Sequence, residues 1–179
     1  GNVITAYPFT IETWLRRDGT SSNRTVVSLN DTISTYYAIS ISSGSAIRLA
    51  ARNGVTAIVS SGTVIPENTW VHVCAVFASP TDRQLYINGQ LMGTSNEEVP
   101  FFTPARTLIG VLRTSSPLEY MSGSIKDVRI WNIARTQSEI QVDMNRELVG
   151  NEPGLVGYWK INEGYGNVLR DFTSNQNHG

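Results

Sequence analysis

Gly123-Ser-Ile-Lys-Asp-Val-Arg-Ile-Trp131 is the stretch that decides the fold, because it reads as a β-strand that runs directly into a short helix. Strict two-residue alternation divides the residues after Gly123 between two faces. Ser124, Lys126, Val128 and Ile130 share one predicted face, and Ile125, Asp127, Arg129 and Trp131 share the other.

The helix signal follows at once in Asn132-Ile-Ala-Arg-Thr-Gln-Ser-Glu-Ile140. Thr136 and Glu139 have the spacing of a capping box, in which each side chain bonds the backbone of the other residue. Ile140, Met144 and Leu148 then recur every four residues and predict one apolar helix face. No comparable helix signal occurs elsewhere in the sequence.

The rest of the chain carries short strand patterns that alternate with turn residues. The predicted strands include the alternating run from Phe9 to Leu15 and the nearly continuous apolar run Trp70–Phe77, which suits a central strand. Asn88-Gly89 predicts a type I′ hairpin turn, since both positions of that turn need positive φ. This pattern predicts an all-β fold, a two-sheet antiparallel β-sandwich with one short helix, and leaves a closed barrel as the alternative.

Length and charge limit the possible functions. The chain has 179 residues, which suits a single domain over residues 1–179, and its 14 basic and 15 acidic side chains give a net charge of -1. Nothing in this balance favours nucleic acid as a partner. No apolar run approaches the roughly 20 residues of a membrane-spanning helix, so we expect no membrane insertion. The one cysteine, Cys74, lies in a strand pattern and is expected to be buried and inert.

Five segments together resemble the laminin-G-like, concanavalin A-like jelly rolls, which also include the pentraxins. The segments are Phe9–Trp14, Thr69–Val73, Leu85–Gly89, Gly123–Glu139 and Leu155–Trp159, the last continuing to Asn177-His-Gly179. The resemblance covers most of the chain and rests on the order and spacing of the segments. It implies two packed antiparallel sheets and an extracellular or cell-surface role in binding glycans or other surface molecules, often with calcium. It also makes core packing the expected role of Trp14, Trp131, Trp159 and Trp70.

The chain departs from this family pattern in two places. Members often carry two acidic residues before the Val-Arg-Ile motif, whereas this chain has Lys126-Asp127, so one carboxylate of any metal site there is missing. Members also commonly have a strand before the first segment and another after the closing Asn-His-Gly. We therefore expect a domain excised from a larger, multi-domain protein, with other domains of that protein among its partners.

Catalysis finds little support among the residues. Hydrolysis of a glycosidic bond needs two carboxylates across the bond, and no predicted strand carries acids two or four residues apart. Glu97-Glu98 lies in a turn pattern, and Asp82 and Glu119 lie in loops, where solvated acids are the norm. His72 has no partner at metal-ligand spacing and is expected to be a hydrogen-bonded core histidine.

Binding finds better candidates in the hairpin that Ser43-Gly44-Ser45 closes. If the register is symmetric, Tyr36 faces Arg52 and Ser40 faces Arg48, and all four share one face with Ala38 and Ala50. An aromatic ring can pack on a sugar, and guanidinium donors can bond hydroxyls or a carboxylate. The sequence therefore predicts a ligand site at Tyr36, Ser40, Arg48 and Arg52, against the alternative of an ordinary solvated sheet face.

Asn30-Asp31 is the candidate metal site. The pair ends one predicted strand and opens a loop, which is where carboxylate and carbonyl oxygens can converge on calcium. The position is also near the place where related laminin-G domains hold a calcium ligand.

These observations predict a non-catalytic, extracellular carbohydrate-binding or adhesion module that uses calcium as a cofactor and a cell-surface glycan as its partner. The first alternative is a protein-interaction or architectural domain without a sugar site. The second is a degenerate glycoside-processing domain.

Overall fold

The computed structural model describes residues 4–19, 22–31, 34–113 and 117–179, and these ranges form two antiparallel sheets. The strands are β1 (Phe9–Arg17), β2 (Arg24–Asn30), β3 (Tyr36–Ile41), β4 (Ala46–Asn53), β5 (Val55–Val64), β6 (Trp70–Ser79), β7 (Asp82–Ile87), β8 (Gln90–Ser95), β9 (Arg106–Ile109), β10 (Leu112–Arg113), β11 (Pro117–Leu118), β12 (Gly123–Trp131) and β13 (Leu155–Trp159), and the helix is α1 (Gln137–Asp143). The predicted all-β sandwich with one short helix is confirmed. In the described ranges, no helix is long and apolar enough to cross a bilayer.

The two large sheets have six and five strands. The first has the order β13-β12-β1-β6-β7-β8 and the second the order β5-β4-β3-β2-β9, while β10 and β11 form a small separate ladder. β6 lies between β1 and β7, and its residues from Val71 to Phe77 are all buried, as the continuous apolar run predicts. The central position of this strand is therefore confirmed.

The core fills the space between the two sheets. Its centre is aromatic: the rings of Phe9 and Phe77 stack with centroids 4.6 Å apart, and the Tyr37 ring meets Phe9 edge-on at 4.8 Å. Phe9 and Phe77 come from the six-stranded sheet and Tyr37 from the five-stranded sheet, so this cluster joins the two layers. Aromatic pairs at these separations stabilise a core beyond the area that they bury.

Both predicted hairpin turns have the expected geometry. Asn88 and Gly89 have φ values of 48° and 72°, so they supply the two positive φ angles of a type I′ turn between β7 and β8. The β3–β4 hairpin has the predicted register, in which Tyr36 pairs with Arg52 and Ser40 with Arg48. Local turn chemistry was therefore enough to fix the pairing of these four strands.

The alternation predicted for β12 is wrong after Lys126. Lys126 pairs with Trp14 and Arg129 pairs with Glu12, so β12 has one extra residue in this interval. The extra residue is a β-bulge at which Asp127 adopts a φ of 52° and accepts a hydrogen bond from the Tyr158 hydroxyl at 3.0 Å. As a result Ile125, Val128 and Ile130 face the core together, whereas Lys126 and Arg129 face away from it.

Helix α1 begins as predicted and ends earlier. The Thr136 hydroxyl accepts from the backbone N–H of Glu139 at 3.3 Å, and the Glu139 carboxylate accepts from the backbone N–H of Thr136 at 2.7 Å. Ile140 is buried against the six-stranded sheet, but the helix ends at Asp143, so Leu148 lies beyond it. The last carbonyls are satisfied by the sheet, because Arg129 donates to Asp143 O at 2.9 Å and the Trp14 indole donates to Met144 O at 2.8 Å.

Candidate functional site

The face of the five-stranded sheet that points away from the core carries three rows of side chains, which run across the strands. The first row is Arg106, Asn30, Tyr36, Arg52 and Thr56; the second is Leu108, Ser28, Ala38, Ala50 and Ile58; the third is Thr25, Ser40, Arg48 and Ser60. The middle row has small or apolar side chains, and the rows on either side have longer polar ones. This arrangement produces a shallow trough across the sheet.

The four side chains predicted to bind a ligand all lie on this face. Tyr36, Ser40 and Arg48 line a depression of about 70 Å³, while Arg52 is exposed and lies outside its lining, opposite Tyr36. This volume is well below the roughly 300–1,000 Å³ that is usual for small-molecule sites. A sugar could therefore rest across its mouth and insert only an edge.

The guanidinium groups of Arg48 and Arg52 differ from most others in the molecule. Among the described residues, neither makes a hydrogen bond or an ion pair with another side chain or with the backbone. Arg106, in the first row, instead donates from Nε and Nη2 to the Asp31 carbonyl oxygen at 3.2 and 2.7 Å. Arg48 and Arg52 thus offer unoccupied donors to a ligand, whereas Arg106 is held by the protein.

Glu119 forms part of the wall beside Arg48. It lines the same depression, and its carboxylate accepts a hydrogen bond from the Thr25 hydroxyl at 3.1 Å. Its carbonyl oxygen also accepts from the Thr25 backbone N–H at 2.7 Å. The sequence predicts that Glu119 lies in a loop, and it predicts no role for this acid. Only the packing of this loop against β2 brings the acid to the trough, and no local sequence signal shows that packing.

Asn30 and Asp31, the predicted calcium ligands, lie at the end of β2 on the edge of this face. Asn30 is buried, with 1% of its surface exposed, and its amide donates to the Asp31 carbonyl oxygen at 3.1 Å. The Asp31 carboxylate accepts from the backbone N–H of Thr35 at 3.3 Å. In the part of the chain that the structure describes, no three His, Cys, Asp or Glu side chains cluster as metal ligands. Calcium at Asn30 and Asp31 therefore stays a prediction.

A buried charged cluster lies behind the other sheet, between β1, β6, β12 and α1. Glu12 is fully buried, and its carboxylate accepts from the Trp131 indole at 3.0 Å and from Arg129 at 3.4 Å. His72 Nε2 lies 3.4 Å from the other carboxylate oxygen, so the burial predicted for His72 is confirmed, although His72 lies behind the sheet and not in the sandwich core. Sequence reasoning missed Glu12, although its place among the apolar residues of β1 was a usable signal.

Electrostatics show how strongly this cluster holds the Glu12 charge. Burial raises the pKa of Glu12, but the hydrogen bond and the charge of His72, together with the charges of Arg129 and Arg135, outweigh burial and hold the pKa at about 2. The carboxylate is therefore ionised at neutral pH. It is enclosed by the protein and has no access to a substrate, which makes it a structural charge.

The tryptophans divide between the core and the surface. Trp131 and Trp159 are buried, as expected, but Trp14 and Trp70 are half-buried on the outward face of the six-stranded sheet. The Lys126 ammonium lies 5.6 Å from the Trp14 ring centroid and 4.9 Å from that of Trp70. Core packing was thus the wrong expectation for these two residues, because they alternate in β1 and β6 with Leu15 and Val71, which face the core.

Comparison with known structures finds the same fold in several solved proteins. A Bacteroides ovatus protein assigned as carbohydrate-binding superposes with a TM-score of 0.78 and 21% identity over 96% of this chain, which spans 51% of that protein. The CBM40 of the Ruminococcus gnavus IT-sialidase, bound to α2,3-sialyllactose, has a TM-score of 0.68 and 13% identity over 77% of this chain and 83% of its own.

A third similar structure is domain 4 of an extracellular GH43 arabinanase from Geobacillus stearothermophilus, in complex with arabinotriose. It has a TM-score of 0.61 and 17% identity, over 77% of this chain and 66% of that one. Identities this low establish a common fold and no more. Among curated protein sequences, none matches this chain significantly.

The sequence itself matches one family model. The model describes the concanavalin A-like lectin/glucanases superfamily, and its match runs over residues 1–141, which is most of the chain. The two-sheet jelly roll described above agrees with that match. This protein belongs to the concanavalin A-like lectin/glucanase superfamily.

Proposed function

We propose that this chain is a non-catalytic carbohydrate-binding module that acts outside the cell or at its surface, and that it binds glycans on the outward face of the five-stranded sheet. The observation that carries the proposal is the pair of unoccupied guanidinium groups, Arg48 and Arg52, which flank Ala50 on one strand. A polar ligand can bind there without breaking any bond within the described protein.

The spacing of the two arginines suits an oligosaccharide. Four residues along a strand separate their backbones by roughly 13 Å, which is more than one sugar residue spans. A glycan chain that crosses the trough over Ala38 and Ala50, parallel to β3 and β4, would place Arg48 beside one sugar and Arg52 with Tyr36 beside another. Guanidinium donors then bond hydroxyls or a carboxylate, and the half-buried Tyr36 ring packs on an apolar sugar face.

The similar structures support the same ligand class. Two of them contain a bound oligosaccharide, sialyllactose in one and arabinotriose in the other. Calcium at Asn30 and Asp31 would sit at the edge of the trough, next to Tyr36 in the first row, where it could bridge to sugar hydroxyls.

A glycan array tests the proposal directly. The protein is applied once with calcium and once with a chelator, and bound glycans are then confirmed by calorimetry with sialyllactose and arabinotriose. We expect binding to a defined glycan class, and a requirement for calcium would support the metal site. Absence of binding under both conditions contradicts the proposal, and release of free sugar from a bound glycan contradicts its non-catalytic character.

Strand β5 favours a second candidate, a protein-interaction domain. It forms one edge of the five-stranded sheet and exposes Val55, Ile58 and Val64 at 45%, 50% and 65%. An edge strand with exposed apolar side chains can pair with another chain. Light scattering across a concentration series tests this candidate, because association through β5 should be lost in Val64→Lys and retained in Thr63→Lys.

A further inference from the structure

A second cavity lies beyond β13, in the loop that leads from Asn162 to Phe172. Its volume is about 450 Å³, and its lining includes Asn162, Tyr165, Asn167, Arg170 and Phe172. That size is within the roughly 300–1,000 Å³ that is usual for small-molecule sites. The cavity shares no lining residue with the depression at Arg48.

Tyr165 is the most conspicuous side chain of this loop, because 92% of it is exposed. It stands between Gly164 and Gly166, whose φ values of 71° and 90° give the loop its shape. The base of the loop is tied down. The backbone N–H of Arg170 donates to the Glu163 carboxylate at 2.9 Å, and Leu169 exchanges backbone hydrogen bonds of 2.8 and 2.9 Å with Gly179. The C-terminal part of the loop is therefore bonded to the rest of the protein, while the ring itself is exposed.

The polar groups around the ring are unoccupied. Among the described residues, the guanidinium of Arg170 and the side-chain amides of Asn162 and Asn167 bond no other protein group. Phe172 also lines the cavity, and its ring is 38% exposed. The Lys160 ammonium lies 4.3 Å from the centroid of this ring. An exposed aromatic ring surrounded by free donors and acceptors is a combination that suits a saccharide, whose rings have both an apolar face and a rim of hydroxyls.

We propose that loop 162–172 is a second saccharide-binding site, in which Tyr165 stacks on one terminal sugar while Arg170 and the two amides bond its polar groups. The site is separate from the sheet face, so the chain can engage two sugars at once. Two weak sites on one chain raise the avidity for a surface that displays many glycans.

Nuclear magnetic resonance with 3′-sialyllactose, which carries hydroxyls and a carboxylate, tests this site. The titration uses the wild-type chain and the double variant Arg48→Ala/Arg52→Ala, in which the sheet face is disabled. We expect the amide signals of Gly164 and Gly166 to shift and saturate at millimolar ligand in both proteins. Tyr165→Ala should weaken that response by about fivefold or more.

Tyr120→Ala is the matched control, because Tyr120 is 63% exposed and lines neither cavity. It should leave the Gly164 and Gly166 response unchanged. The proposal is overturned if these two signals do not shift in the double variant, or if Tyr165→Ala and Tyr120→Ala behave alike. If the double variant loses only the sheet-face signals and the loop signals still shift, the result supports both sites. If the sheet-face signals persist in the double variant, the proposed function fails and the second site is judged by the loop signals alone.

Discussion

Arg129 and Arg48 both lie on a sheet face that points away from the sandwich core, but their surroundings are opposite. Arg129 is 2% exposed and donates to Glu12, to Asp143 O and to Arg146 O. Arg48 is partly exposed and has no bonding partner among the described residues. The helix and the segment after it cover the first face, whereas in the described ranges no helix covers the second. An arginine whose two terminal nitrogens are bonded by the protein holds the fold, and one whose guanidinium has no protein partner can bind a ligand.

Removing the buried charge of Glu12 should have the largest effect on stability. It tests whether the bonded arginine, Arg129, holds the fold. Glu12→Gln leaves Arg129 and His72 enclosed without their counter-ion, so we expect the free energy of unfolding to fall by about 3–5 kcal/mol. Denaturant titration measures this change. Glu147→Gln, which alters an exposed partner of Lys160, is the control and should unfold at the wild-type denaturant concentration. Equal behaviour of the two variants would mean that the cluster does not stabilise the fold.

Lowering the pH should protonate Glu12 and so destabilise the same cluster in the wild-type protein. The pKa of Glu12 is lowered from 4.5 to about 2 in the folded state, so its contribution is complete above about pH 4.5 and is lost as the pH falls toward 2. A shift of this size corresponds to about 3 kcal/mol. Unfolding curves between pH 6 and pH 2 should therefore show a steep loss of stability in the wild type and a shallower one in Glu12→Gln. Parallel pH profiles would contradict this assignment.

The free arginines provide the complementary prediction. Arg48→Ala and Arg52→Ala should each weaken glycan binding by about tenfold, or about 1.4 kcal/mol, because each removes charged donors to the ligand. The free energy of unfolding should not change, since neither side chain bonds the described protein. Calorimetry and denaturant titration measure the two quantities. Arg146→Ala, an exposed arginine behind the other sheet, should bind normally. Normal binding by both test variants would move the site away from this face.

Calcium binding at Asp31, at the edge of the outward face of the five-stranded sheet, should have the smallest effect on stability. If Asp31 is a ligand, free calcium at a concentration equal to its Kd adds about 0.4 kcal/mol to the free energy of unfolding. Titration calorimetry should show heat for the wild type and none for Asp31→Ala. Asp18→Ala is a control from another exposed loop and should retain the heat. Heat that persists in Asp31→Ala would exclude Asp31 as a ligand.

The parts of the fold that the sequence predicted correctly depend on short-range chemistry. Asn88-Gly89 requires a tight turn, the Thr136–Glu139 capping box needs only its own four residues, and the three-residue loop at 43–45 sets the β3–β4 register. The position of the predicted ligand residues on one face followed from that register. Such features do not depend on the rest of the chain.

The parts that were missed depend on contacts between distant residues. The bulge at Asp127 is stabilised by Tyr158, and Glu12 meets Trp131 across 119 residues of sequence. Glu119 reaches Thr25 across 94 residues. Strict alternation would have left Ile125 opposite Val128, and the three apolar residues share a face only because the strand takes up one extra residue. A linear pattern contains no information on where that residue is inserted.

The rate at which a thiol reagent labels Cys74 can be used to measure how often helix α1 separates from the sheet. The thiol is fully buried among Val76, Tyr86 and Ile140, and burial, together with the charge of Glu12, raises its pKa well above the ordinary value. Since only the thiolate reacts, a thiol reagent must wait until α1 lifts from the sheet. The chain has one cysteine, so the rate of labelling reports a single event. Comparing that rate with and without glycan would show whether ligand on one sheet slows the opening of the other.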